Sequence, residues 1–176
     1  MSRLSEQIDA TIRNVPDFPE PGIQYKDITP VLADTRLMRG IIAEFAKQYM
    51  SNDIDVVVGV ESRGFIFGTP LAIAIEAAFV PVRKPGKLPA DVISTEYTLE
   101  YGSGSLEIHA DAIRPGQRVV IVDDLLATGG TLAATKKLVE ELGGVVVECA
   151  VLINLAFLNG ASLLGETPVM SIVDYV

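Results

Sequence analysis

Asp123 and Asp124 are adjacent carboxylates that follow the apolar run Val119-Val120-Ile121-Val122 and precede Leu125-Leu126-Ala127-Thr128-Gly129-Gly130-Thr131. Such a run predicts a strand covered on both faces. It delivers the two acids to the carboxyl edge of a sheet, where ligands of open α/β folds bind. The small-residue loop then opens a helix. Backbone N–H groups at a helix start, unobstructed at Gly129 and Gly130, make a nest for a phosphate dianion. Thr128 and Thr131 add hydroxyl donors. The carboxylates cannot face that anion, but they suit vicinal hydroxyls a short distance away. The chemistry implied is recognition of a sugar phosphate from both ends.

Two other phosphate motifs fail on spacing. Four apolar residues before Asp123-Asp124 resemble a Walker B strand, but that reading needs G-x-x-x-x-G-K-[ST], and the one Gly-Lys pair, Gly86-Lys87, is followed by Leu88. A dinucleotide fingerprint needs a third glycine after Gly102-Ser103-Gly104, and this triplet lies in a loop.

The elements that must position this turn follow from periodicity. Leu4, Ile8 and Ile12 mark a short amphipathic helix with Ser2 or Ser5 as cap. Pro16, Pro19 and Pro21 exclude helix and central strand, leaving an extended arm or loop. Asp34 or Thr35 caps a helix carrying Leu37, Ile41, Phe45 and Tyr49 on one face. Strands are predicted at 54–60, 79–83, 118–122, 145–153 and 169–173, and helices at 64–77 and 131–142. Residues 84–104 form a long segment rich in Pro, Gly and polar residues, in which 97–101 and 105–108 can pair as a hairpin. Loops this long in compact domains are usually lids or binding loops. The alternation predicts an α/β fold with a mainly parallel central sheet flanked by helices.

At 176 residues and 49% hydrophobic content the chain can bury about 70% of its unfolded surface without disulfides or structural metals. The net charge of −9 leaves little room for the basic face that nucleic-acid binding requires. The longest apolar stretch, Leu71 to Val82, contains Glu76 and Pro81 and is too short to span a bilayer. No secretory signal is visible, and the single Cys149 lies in an apolar run, as a buried, inert thiol would. These features predict a cytoplasmic protein with no membrane or nucleic-acid partner.

The turn from Asp123 to Thr131 resembles the PRPP (5-phosphoribosyl 1-diphosphate) motif of type I phosphoribosyltransferases, in the form carried by the adenine phosphoribosyltransferases. The resemblance covers most of the chain, through Phe18-Pro19-Glu20-Pro21-Gly22-Ile23, Tyr25-Lys26-Asp27-Ile28-Thr29-Pro30, Glu61-Ser62-Arg63-Gly64-Phe65, Arg83-Lys84-Pro85-Gly86-Lys87-Leu88-Pro89 and Leu99-Glu100-Tyr101-Gly102. It implies purine salvage, in which adenine and PRPP give AMP and pyrophosphate with Mg²⁺ held through PRPP and water, and a homodimer with the segment around Arg83 at or near the subunit contact. By similarity, Asp123 and Asp124 hold the ribose hydroxyls, and Ala127, Thr128, Gly129, Gly130 and Thr131 hold the 5-phosphate. Glu61, Ser62 and Arg63, with a cis Glu61–Ser62 peptide, bind pyrophosphate together with Arg83, Lys84 and Lys87. Residues 1–33 form a hood over the base, where the backbone of Ile23 and Gln24 reads the adenine edge and Tyr25 stacks on the ring. Leu125 packs on the purine, and Lys26 stands where many members have arginine, keeping the charge but losing the planar fork. Residues 34–176 form the core, with a mobile loop at 84–104 carrying the general acid/base Glu100. His109, the single histidine, matches no catalytic position and reads as structural or exposed.

Two rival readings remain at this point. Related enzymes for 6-oxopurines usually use a late lysine and an aromatic, whereas residues after Ile153 include Phe157 and Tyr175 but no lysine. A non-catalytic PRPP sensor would need neither Glu100 nor Arg63.

Overall fold

The computed structural model describes residues 2–98 and 103–176. Its centre is a five-stranded, fully parallel sheet in the order β4-β3-β7-β8-β9, made of Ala78–Val82 (β4), Val56–Val60 (β3), Arg118–Leu126 (β7), Val145–Leu155 (β8) and Val169–Tyr175 (β9). Every residue of β3 is buried, as a strand covered on both faces must be. Strand alternation divides β7 between two cores. Val120 and Val122 join one cluster, with Ile41 and Phe45 of α3 (Thr35–Tyr49) and Phe67 and Leu71 of α4 (Gly64–Ala74). Val119 and Ile121 join the other, with Leu132 and Leu138 of α5 (Gly130–Glu141). Cys149 lies inside that second cluster, and burial pushes its thiol up to about 12.

Capping follows the expected chemistry. Ser2 Oγ accepts the amide of Ser5 at 3.1 Å and starts α1 (Arg3–Thr11), while Asp34 Oδ1 accepts the amides of Arg36 and Leu37 and starts α3. The helix after β3 ends at Ala74, three residues before the predicted stop, and Glu76 turns the chain at a φ of +58°.

Three features depart from the sequence reading. The predicted loop through Pro19 and Pro21 is as expected, but it joins an unforeseen antiparallel hairpin, β1 (Arg13–Pro16) with β2 (Gln24–Asp27), in which Pro16 sits at a strand end where no ladder donor is lost. Within residues 84–104, β5 (Val92–Thr98) pairs with β6 (Ser103–His109), so the hairpin begins five residues before Tyr97. Two short 3-10 helices, Ala156–Leu158 and Gly160–Leu164, follow β8. The amino-terminal segment shares the central core: Ile8, Ile12, Ile28 and Val31 of the one-turn α2 (Thr29–Leu32) are buried in the cluster that holds α3 and α4.

Candidate active site

The helices after β3 and β7 cover opposite faces of the sheet, so the two strands part their connections at their carboxyl ends. Crevices open at such a reversal. Here the turns that follow the two strands line a cleft of about 500 Å³. Glu61, Ser62 and Arg63 come from the β3 side, and Asp123 through Thr131 from the β7 side. Lys84, beyond β4, and Tyr97 and Leu106 of the β5–β6 hairpin complete the lining.

β7 continues to Leu126, four residues past its predicted end, so both acids stand on the strand itself. Asp124 is buried on the face of α4, where its Oδ2 lies 3.0 Å from Arg63 Nε. Asp123 accepts the Asp124 amide at 2.9 Å. Burial pushes both carboxyl groups upward. Repulsion from Asp124 adds to the rise in Asp123, and the Arg63 guanidinium opposes it in Asp124. Close packing at Gly64 brings Arg63 to this position, since a Cβ there would lie 2.5 Å from the Val122 carbonyl.

The loop after the acids is shaped by backbone. Gly129 has a φ of +87°, and a Cβ on it would fall 2.2 Å from the Gly160 oxygen. A Cβ on Gly160 would fall 2.1 Å from the Ala127 oxygen and 2.8 Å from the Gly129 nitrogen. Two glycines thus meet back to back, and the second braces the loop from behind. Sequence reasoning missed Gly160 because nothing in Asn159-Gly160-Ala161 refers to a loop on the far side of β8. Tyr97 was missed as a lining residue too, although its place in a β-rich stretch inside the predicted lid, residues 84–104, was a usable signal.

Other predicted site residues lie around this centre. Glu61 accepts the Lys84 amide at 3.0 Å and Arg83 Nε at 3.1 Å, which hold its carboxyl below the usual range. Arg83 also donates to the Lys87 carbonyl at 3.2 Å, and neither Arg83 nor Lys87 lines the cleft. The β1–β2 hairpin carries Ile23, Gln24, Tyr25 and Lys26, none of them lining residues. Tyr25 is tied to the cleft by Arg63, whose Nη1 donates to its hydroxyl and whose guanidinium carbon lies 5.7 Å from its ring centre. Phe18 meets the same ring edge-on at 5.0 Å. Lys26 is directed elsewhere: its Nζ donates to Asn14 at 2.6 Å and lies 3.8 Å from the centre of the Tyr175 ring. Tyr175 in turn donates to Asp9 of α1. His109 is half-buried at the far end of β6 and does not line the cleft. Glu100 lies outside the described residues.

Comparison with known proteins decides among the readings of this cleft. A family profile described as a phosphoribosyl transferase domain matches residues 25–162. An adenine phosphoribosyltransferase of Alkaliphilus metalliredigens is 56% identical over 96% of this chain and 99% of its own length. The chain belongs to the adenine phosphoribosyltransferases. Its fold agrees with the crystal structure of the Thermoanaerobacter pseudethanolicus adenine phosphoribosyltransferase, at a TM-score of 0.94 and 52% identity, covering 97% of this chain and 99% of that one. The Trypanosoma brucei enzyme, solved with AMP, pyrophosphate and ribose-5-phosphate, matches at a TM-score of 0.91 and 28% identity over 98% of this chain and 80% of its own. Consistent with the family pattern, the Glu61–Ser62 peptide is cis. Among the described residues, no helix is long and apolar enough to cross a membrane.

Proposed function

We propose that this cleft carries out the family reaction in purine salvage, joining adenine to the phosphoribosyl group of PRPP to give AMP and pyrophosphate. The observation that carries the reading is the union, in one cleft, of a glycine-walled anion loop, two adjacent carboxylates and the facing cations Arg63 and Lys84. The amides of Ala127 to Thr131, with the Thr128 and Thr131 hydroxyls, hold the 5-phosphate. Asp123 and Asp124 accept the ribose hydroxyls. Ser62, Arg63 and Lys84 grip the diphosphate, and Arg83 and Lys87 add positive charge beside it while Arg83 fixes Glu61.

Residues 1–33 serve as a hood over the base. Ile23 and Gln24 read its edge through their backbone, Tyr25 stacks on it, and Leu125 packs on it from the core. Lys26 anchors the hood through Asn14 and Tyr175. The bond from the anomeric carbon to the pyrophosphate oxygen breaks as an imidazole nitrogen of adenine attacks the opposite face. That nitrogen loses its proton to Glu100.

The donor set fits a Mg²⁺ that arrives with the substrate. Asp124 is already paired with Arg63, so diphosphate, ribose and water oxygens supply most of the hard ligands such an ion needs. When bound, the ion neutralises charge growing on the leaving group. A cytoplasmic homodimer completes the proposal, with the segment around Arg83 near the contact.

A turnover assay with PRPP and each purine base tests the reading. Pyrophosphate release that requires adenine and is abolished by EDTA is expected. Binding of PRPP without turnover would mark a sensor instead, and preference for hypoxanthine or guanine would mark a 6-oxopurine enzyme. Sedimentation analysis tests the dimer.

A further inference from the structure

One guanidinium joins the two halves of the cleft. Arg63 places Nε on Asp124 at 3.0 Å and Nη1 on the Tyr25 hydroxyl at 2.5 Å, with its central carbon 5.7 Å from the Tyr25 ring centre. The group assigned to the diphosphate therefore holds the aromatic assigned to the base. We propose that the Tyr25 hydroxyl, a positioning group acting through Arg63, couples occupancy of the diphosphate site to occupancy of the base site. This rests on the function proposed above.

The argument is a competition for donors. A diphosphate oxygen is anionic and forms a charge-assisted bond to a guanidinium, stronger than the bond a neutral phenol oxygen accepts. Its arrival draws Nη1 away from Tyr25 and removes the cation from above the ring. The aromatic face is then free to stack on a purine. Linkage makes the effect reciprocal: adenine on Tyr25 releases Arg63 toward the diphosphate. Tyr25→Phe keeps the ring and removes the hydroxyl that Arg63 Nη1 holds, the atom for which diphosphate competes.

The test uses inorganic pyrophosphate with Mg²⁺ and adenine, which cannot react without ribose. Calorimetry gives the adenine Kd with and without pyrophosphate. In the wild-type chain pyrophosphate tightens adenine by about 5-fold or more, the lower range of ordinary site coupling. In Tyr25→Phe the ratio falls to about 1 by the same reasoning. A merely structural role for Tyr25 would change both affinities and leave their ratio alone. The chain has five tyrosines and no tryptophan, so tyrosine emission is directly readable. Pyrophosphate alters that emission in the wild type, and most of the change is lost in Tyr25→Phe.

A wild-type ratio near unity, or an unchanged ratio in Tyr25→Phe, overturns the coupling. If Tyr25→Phe fails to fold, Arg63→Lys serves, because it keeps the charge but loses the fork that reaches both partners; the wild-type ratio there overturns the proposal equally. If neither probe binds the wild-type chain, the proposed function itself falls. If both bind independently, only the coupling does.

Discussion

The loop assigned to the phosphate and the hairpin assigned to the base are built from opposite materials. From Ala127 to Thr131 the cleft wall is shaped by backbone, braced by a second backbone at Gly160, and neither Gly129 nor Gly160 has room for a single added carbon. From Arg13 to Asp27, beside the cleft, two four-residue strands and their connection are held by side chains, through Tyr25 to Arg63 and through Lys26 to Asn14 and Tyr175. A site that must grip the same phosphate in substrate and product can be rigid. One that admits a flat base and releases a nucleotide is better served by contacts that exchange.

The largest effect is expected at a residue that belongs to neither region, the assigned general acid/base. Glu100→Leu is expected to lower kcat by about 10²–10⁴-fold, the usual worth of a general acid/base, with PRPP affinity little changed; an unchanged kcat would remove the assignment. Next in size is the rigid wall. Gly129→Ala, forced against the Gly160 oxygen, should cost roughly 10²-fold in kcat/KM for PRPP, on the scale of a lost array of oriented backbone donors. A variant of near-normal efficiency would show the loop to be as adaptable as the hood.

Asp123→Asn separates stability from binding. Its folded-state carboxyl is raised by burial and by Asp124, so the stability linked to it is present below an ordinary carboxylate value of about 4 and is lost as pH rises through the raised one. The variant should therefore melt a few degrees above wild type at pH 8, lose that advantage near pH 4, and bind PRPP poorly throughout. Equal melting at both pH values would contradict the direction of the shift. The smallest effect is expected at the hairpin: Lys26→Met removes the exposed Asn14 hydrogen bond and an ion–aromatic contact worth about 0.5–1 kcal/mol, and should raise the adenine KM a few-fold without moving the PRPP KM.

The same contrast explains what could be read from residues alone. Val119 to Thr131 announced itself because a doubly covered strand, paired acids and a side-chain-free helix start each demand particular residues in a fixed order. The sheet was legible for a similar reason, since Val56 to Val60 and Val145 to Ile153 have few other uses. β1 and β2 were not legible: strands of four residues, with none fully buried, show no alternation of buried and exposed positions, and the prolines between them signal only a turn. β5 was concealed by Ser94, Thr95 and Glu96, whose polarity reads as loop although β-branched neighbours surround them. Gly160 and the Lys26–Tyr175 contact were beyond sequence reasoning altogether, because each joins segments far apart in the chain.

The brace behind the anion loop has a consequence for transplanting this chemistry. Residues 123–131 read as a self-contained unit in the sequence, yet their shape depends on a peptide contributed after an intervening helix and strand. A graft carrying the signature alone would leave its curved amides unsupported on one side. The smallest piece expected to hold its form runs from Arg118 through Gly160, strand, helix, strand and closing turn together.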